Sequence, residues 1–277
     1  MRLLCLGDNV VDRYVAQGVM YPGGNAVNVA VFAKRLGADA AYQGVLGSDE
    51  AGRLVLASLV GEGVDTSRVT VAQGPNAWAD VELVEGDRLF LGSDKGVSNF
   101  RLTATHYAEV AAFDAVHTAY TALLEDQLFD LCTHAARVSY DFGRNFTPEQ
   151  VGRLTPGLWL ASFSGSHLSE REVSHLLRAS CEAGAAFTVV TRGSQGAALA
   201  TRDRRWDQPA GRVRVVDTLG AGDAFIAALI VGLGTGDDPA SALDDAGEVS
   251  QGVITRSGAF GYGAPFSRVP ALMEGEV

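Results

Sequence analysis

The chain predicts a three-layer α/β/α domain, a mostly parallel sheet with helices on both faces and a small β-sheet lid, and three observations carry that prediction. Short apolar runs alternate with amphipathic helical stretches, the rhythm of βαβ units. Glycine-rich or polar segments stand where the strands should end. Two stretches, residues 13–21 and 77–91, break the rhythm and lack helical periodicity. A hydrophobic fraction of 47% over 277 residues supplies a sizeable core, and no repeat or long linker divides it. A single domain over residues 1–277 is therefore expected.

The elements follow in order. Residues 3–6 read as a short buried strand, residues 26–36 as a helix stopped at Leu36-Gly37, residues 40–45 as a strand and residues 50–60 as a helix. The rhythm resumes with a strand at 115–118, a helix at 125–136, a strand at 138–141 and a helix at 148–154 capped by Thr147. A strand at 158–161, a helix at 170–182 and a strand at 187–191 come next, and residues 224–233 form an almost wholly apolar, hence buried, helix. Between the halves, residues 77–84 and 88–91 read as strands joined by a Glu85-Gly86-Asp87 turn. With residues 13–21 they make the lid, whose apolar face suits pairing with a second copy as a homodimer.

Charge narrows the partners. A formal net charge of -11 argues against nucleic acid or an anionic membrane, both of which reward clustered Lys and Arg. The one dense basic run, residues 202–205, is interrupted by Asp203 and reads as a solvated hairpin. Cys5, Cys132 and Cys181 are odd in number with no CxxC pair, so buried thiols in a reducing compartment are expected. The five histidines show no metal-ligand spacing. Residues 1–7 read as a strand with no long apolar leader, and no run of about 18 apolar residues occurs, so a cytoplasmic location is expected.

The segment with most chemistry is Val216-Asp217-Thr218-Leu219-Gly220-Ala221-Gly222-Asp223-Ala224-Phe225. Its glycines let backbone approach an anion, and the amides of the following helix start point at it. A carboxylate beside such a hole would repel phosphate, so Asp223 makes more sense as a base that receives a proton from an attacking hydroxyl. A turn with an Asp supporting the helix start is the plainer alternative. Gly23-Gly24-Asn25-Ala26-Val27-Asn28 leaves room for a ligand before a helix, with Asn28 suited to neighbouring sugar hydroxyls, although Gly-Gly is also a common turn. Gly7-Asp8-Asn9-Val10-Val11-Asp12 closes the first strand, where Asp8 and Asp12 offer acceptors to polyol hydroxyls or an ammonium, or simply Asx turns. Val189-Val190-Thr191-Arg192-Gly193-Ser194-Gln195-Gly196 fits a nucleotide phosphate edge, with Thr191 and the Gly193 amide in reach of oxygens. Together these strand ends converge on one crevice.

Gly23-Gly24-Asn25-Ala26-Val27-Asn28, Gly44-Val45-Leu46-Gly47-Ser48-Asp49-Glu50-Ala51-Gly52 and Asp217-Thr218-Leu219-Gly220-Ala221-Gly222-Asp223 resemble the two signatures of the PfkB (ribokinase-like) carbohydrate kinases, and the resemblance runs from Leu3 to about Gly258. It implies a ribokinase-like, Rossmann-like domain and ATP-dependent phosphorylation of a small hydroxyl compound with Mg²⁺. By matching position, Asp223 is the catalytic base and Gly220, Ala221 and Gly222 form the anion hole. Asp8, Asp12, Gly24, Asn25 and Asn28 hold the substrate, and Thr191, Gly193, Gly196, Gly220 and Gly222 the nucleotide. The start of the chain and Phe113-Asp114-Ala115-Val116-His117 are most similar to the branch that phosphorylates O6 of Amadori sugar-amines such as fructoselysine, for which Asp8 or Asp94 would meet the amine. Other sugar or nucleoside kinases of the family, and a non-catalytic nucleotide sensor, stay open.

Three departures stand against the family pattern. Its Asn-x-x-Glu, which organises Mg²⁺, is replaced by Ser162-Phe163-Ser164-Gly165-Ser166-His167, with Glu170 and Glu172 the nearest acids. Gly247 stands where an Asn often lies near adenine. Many members bind a monovalent cation such as K⁺ near the Asp217 loop, and nothing in the sequence decides that here.

Overall fold

In the computed structural model, which describes residues 1–84, 87–211 and 213–266, the chain opens with β1 (Arg2–Leu6), buried from Leu3 onward. β2 (Val10–Tyr14) and β3 (Val19–Gly23) follow as an antiparallel pair, and α1 (Asn25–Arg35) leaves directly from the second. Gly24 makes that exit at φ 104°, where a Cβ would sit 2.7 Å from the Asn9 Cα. β4 (Asp39–Gln43) returns beside β1 in parallel. Gly44 ends it, because a side chain there would strike the Tyr42 hydroxyl and the Gly7 carbonyl. The strand expected at 40–45 is thus two: β5 (Val45–Gly47) leaves the main sheet and pairs with β6 (Thr70–Ala72). Between these, α2 (Glu50–Gly61) starts at Asp49, whose side chain accepts from the Gly52 amide.

β7 (Trp78–Val84) and β8 (Asp87–Asp94) pair antiparallel, and the turn expected at Glu85-Gly86-Asp87 falls on residues 85 and 86, outside those described. α3 (Ala104–Val110) escapes a sequence reading, since a single buried position in seven leaves no apolar period. β9 (Ala115–Ala119), α4 (Leu128–His134), β10 (Val138–Asp141), α5 (Pro148–Leu154), β11 (Leu160–Ser164), α6 (Glu170–Ala183) and β12 (Phe187–Thr191) then alternate as expected. Two of these elements differ from the sequence reading by more than one residue. α4 starts later than residue 125 because the Gln127 carboxamide exchanges hydrogen bonds with the Leu102 backbone and Asp126 is held by Arg101. β11 runs later than 158–161 because its register pairs Leu160–Ser164 with Phe187–Thr191. β13 (Ala197–Ala200) and β14 (Arg205–Gln208) turn back antiparallel, and the charged residues 202–204 lie in the turn between them. α7 (Ala221–Thr235), α8 (Pro239–Val253) and β15 (Ala264–Pro265) complete the described chain.

The main sheet has eight strands in the order β14-β13-β12-β11-β10-β9-β1-β4, parallel from β4 to β12. One core cluster joins α1, α2, α7 and α8 to one face, and a second joins α3 to α6 to the other. The segments expected as a lid, 13–21 and 77–91, fall in a five-stranded sheet ordered β15-β3-β2-β7-β8. Cys5 and Cys181 are buried as expected, whereas Cys132 is half-buried against the second core cluster; all three are free. Among the described residues no helix is long and apolar enough to cross a membrane.

Candidate active site

The carboxyl ends of β1, β9 and β10 meet the start of α1, and Asn25, Asn28 and Asp12 of the expected site residues gather with Asp223 at the start of α7. α7 begins three residues before the helix expected from apolar content, so Ala221, Gly222 and Asp223 form its first turn. Gly220 is its cap, left-handed at φ 74°, and no side chain caps the amides. A Cβ on Gly220 would lie 2.5 Å from that of Ala259, whereas one on Gly222 meets nothing within 4 Å. The first glycine serves packing and the second keeps the helix entrance open.

Asp223 is held by two amides from α1. Asn25 Nδ2 donates to its Oδ1 at 2.8 Å and Asn28 Nδ2 to its Oδ2 at 2.6 Å. The Asn28 carbonyl oxygen is buried with no protein partner among the described residues. An acceptor in that state calls for a donor from outside, such as a substrate hydroxyl. Asp12, on β2, turns its carboxylate to the same place: a Cβ built on Gly23 would sit 2.8 Å from Asp12 Oδ2 and 3.8 Å from Asn28 Oδ1. Asp12, Asn28 and Asp223 therefore line one crevice, floored by the glycines of the α1 entry.

Asp8 is placed differently. Its oxygens accept from the Asn25 and Ala26 amides at 2.9 and 3.2 Å, so it caps α1 from seventeen residues away while the nominal cap, Gly24, has no side chain to offer. Burial raises its pKa against the opposing pull of those amides. Asp94 lies on β8 and accepts from the Gly96 amide, a turn bond at the smaller sheet. Lys95, unflagged by sequence, donates from Nζ to the Thr121 carbonyl at 2.9 Å and sets its charge toward Asp8.

Two further groups escaped the sequence reading. Asp141, the last residue of β10, takes a second hydrogen of Asn25 Nδ2 at 2.9 Å and also accepts from the Gly143 amide and the Ser162 hydroxyl. Burial pushes its carboxyl up to about 6, and the Asp8 charge adds to the rise. His117, fully buried in β9, brings Nε2 within 2.8 Å of Asn25 Oδ1 and Nδ1 within 3.1 Å of Ser139 Oγ. Burial drives its pKa down to about 3, so the ring is neutral. Asp141 carries a legible signal, an acid ending a parallel strand just as Asp8 does. His117 carries none, because its partners lie 22 and 92 residues away.

The residues expected to hold the nucleotide are less crowded. Thr191 ends β12 with its hydroxyl 3.4 Å from the Phe163 carbonyl. Gly193, at φ 57°, leaves open space beside it, with Ser166 Cβ nearest at 3.9 Å. Gly196 has a packing reason instead: a Cβ there would lie 2.0 Å from the Gln208 carbonyl. Gly247 likewise makes room for the Gln208 side chain, 2.2 Å from its would-be Cβ. Asp217 is buried, accepting from the Leu219 amide on one oxygen and from the Tyr14 hydroxyl and Gly258 amide on the other.

Mg²⁺ finds no side-chain cage. Among the described residues no three acids, histidines or cysteines are grouped to hold a metal ion. Glu170 is bound by Arg192 and Arg205, and Glu172 closes the capping box of α6 with Ser169. A surface groove of about 800 Å³ between α5 and α6 shares none of its lining with the cluster at Asp223.

The sequence matches the pfkB family carbohydrate kinase pattern over residues 3–157 and 159–262. It is 41% identical to fructosamine kinase FrlD of Bacillus subtilis (strain 168) over 271 residues, 96% of this chain and 95% of the relative. It is 33% identical to the fructoselysine 6-kinase of Escherichia coli (strain K12) over 235 residues, 84% and 90% of the two chains. Its fold is similar to that of a putative ribokinase II from E. coli in complex with ATP and Mg²⁺, with a TM-score of 0.79 at 22% identity, covering 93% of this chain and 94% of that one.

Proposed function

The chain belongs to the pfkB family of carbohydrate kinases, and from that premise we propose that this sugar kinase transfers the γ-phosphoryl group of ATP to the O6 hydroxyl of fructoselysine or a related Amadori sugar-amine. The observation that carries the reading is Asp223: a carboxylate in the first turn of a helix without a side-chain cap, aimed by two asparagine amides. The substrate class is supported by the two relatives, one named for fructosamine and one for fructoselysine. It is also supported by charge, since Asp8, Asp12, Asp141 and Asp223 surround the start of α1 and suit an acceptor bearing a protonated amine.

In the proposed reaction the acceptor hydroxyl lies between Asn28 and Asp223. Its oxygen attacks the γ-phosphorus in line as the bond to the β-γ bridging oxygen breaks, and ADP leaves. Asp223 takes the hydroxyl proton late, when the oxygen has already become acidic, so an ordinary carboxylate suffices as base. The amides at Gly220 and Gly222 receive charge on the transferring group, joined by that of Ala221 once it leaves the Thr218 carbonyl, 3.3 Å away. Mg²⁺ would accompany ATP, and the E. coli ribokinase II structure is a complex with both; among the described residues no three acids, histidines or cysteines would cage it, and no step is assigned to it. The five-stranded sheet carrying Asp12 acts as a lid that excludes competing water, and the whole chain works as one cytoplasmic kinase domain.

The test is ADP release with Mg²⁺-ATP and fructoselysine, beside fructose, ribose and aminoimidazole riboside, with Asp223→Asn as control. Preference for fructoselysine, reduced on the order of a hundredfold or more in the variant, is expected. Turnover of fructose, ribose or the riboside alone keeps the kinase and discards the Amadori assignment; binding without turnover discards catalysis.

A further inference from the structure

Asn25 sits between two carboxylates. Its Nδ2 lies 2.8 Å from Asp223 and 2.9 Å from Asp141, and an unprotonated carboxylate offers only acceptors. Both hydrogens of the amide are therefore committed to acids, and Oδ1 is forced to face His117 at 2.8 Å. That oxygen can only accept, so His117 Nε2 carries the proton. Nδ1 is then bare and accepts from the Ser139 hydroxyl, its cross-strand neighbour in the β9–β10 register. One assignment of hydrogens satisfies every atom of the chain Ser139–His117–Asn25–Asp141/Asp223, and any other leaves a buried atom facing its like.

The geometry points to His117 as a positioning residue for the phosphoryl transfer: from the strand floor it fixes the Asn25 carboxamide so that one N–H aims Asp223 at the acceptor hydroxyl and the other ties it to Asp141. Asn28, the second holder of Asp223, has a free carbonyl and can turn toward substrate, whereas Asn25 is locked on its side-chain atoms and, through Asp8, on its main-chain amide. Asn25 is thus the fixed reference for the base. Burial keeps the His117 ring neutral, so the lock holds across the working pH range. The titratable groups facing Asn25 are Asp8 from the β1–β2 turn, Asp141 from β10, Asp223 from α7 and His117 from β9, with Asp12 of β2 across Gly23.

This inference rests on the kinase reading, and its test separates the two. With fructoselysine as acceptor, His117→Leu should lower kcat on the order of tenfold with KM for ATP unchanged. The acidic limb of its pH–kcat profile should move upward, because a loosened amide no longer favours the charged form of the base. His117→Gln, which can donate from a similar place, should restore most of the rate. Asp141→Asn, neutral as Asp141 itself is below about pH 6, should leave that limb where it is. A uniform loss of activity in His117→Leu with no movement of the limb, or no rescue by His117→Gln, overturns the proposal while leaving the kinase intact. A second readout needs no substrate: ¹⁵N spectra of the imidazole in the unmodified protein should show the Nε2–H tautomer unchanged from pH 5 to 8. An Nδ1–H tautomer, or titration in that range, also overturns it.

Discussion

Gly220 and Gly222 sit two residues apart in one motif and do different work. At φ 74°, with Ala259 Cβ 2.5 Å from a would-be Cβ, Gly220 tolerates no side chain, so Gly220→Val should destabilise the fold by roughly 2 kcal/mol or more. Gly222 has open space around it, so Gly222→Val should keep its melting temperature within a few degrees and instead raise KM for ATP. Thermal melts beside ADP-release kinetics separate the two, and unchanged kinetics in Gly222→Val would count against the anion hole. His117 and Asp141 shift stability in opposite senses. The His117 pKa is depressed to about 3, so between the ordinary value of 6.5 and 3 the unfolded chain binds a proton that the fold refuses, and stability falls as pH drops. Asp141 is raised to about 6, so between 3.8 and 6 the fold holds the extra proton, and stability falls as pH rises. His117→Gln should flatten the acid loss by about 1.4 kcal/mol per pH unit within its window, while Asp141→Asn should gain stability above pH 6. Urea unfolding between pH 4 and 8 reads both, and parallel curves for the three proteins would refute them.

At the level of elements, a buried bond ties the Asp217 loop to the smaller sheet. Tyr14, at the end of β2, donates its hydroxyl to Asp217 Oδ2 at 2.7 Å in a buried setting. Asp217 in turn accepts from Leu219, on the approach to α7. Tyr14→Phe should therefore lower stability by about 1.5–3 kcal/mol, the range for a hydrogen bond to a charged group, and loosen the anion hole enough to raise KM for ATP. A variant with wild-type stability and KM would show the bond to be idle. The sequence made the main layers legible because buried parallel strands carry apolar runs and helices carry caps, as β12 and the Thr147-capped α5 illustrate with bounds matching the reading. It missed α3, whose contacts leave one buried position, and the splitting of 40–45, decided by a collision at Gly44 with Tyr42. Asp223, Asn28 and Asp12 were legible because their motifs are local. The Asn25–His117–Asp141 network was not, because it exists only once β9 and β10 lie side by side under α1.

For the molecule as a whole, the decisive feature is the unpaired edge of the smaller sheet. β8 is terminal in that sheet, and Leu89 and Leu91, the latter at a register shift against β7, are 52% and 48% exposed. A long edge strand with apolar side chains is a template for pairing, and natural monomers blunt such edges with charge. With a formal net charge of -11 the chain repels its own copies at long range, so association through this edge must rest on apolar burial and main-chain bonds. We expect a homodimer, read by light scattering as twice 29.0 kDa at micromolar concentration. Leu91→Lys should shift it to the monomer. Because β2 of the same sheet carries Asp12, losing the partner should also raise KM for the sugar-amine more than KM for ATP. A monomeric native protein, or a Leu91→Lys monomer with unaltered acceptor KM, would confine the smaller sheet to a lid that works within a single chain.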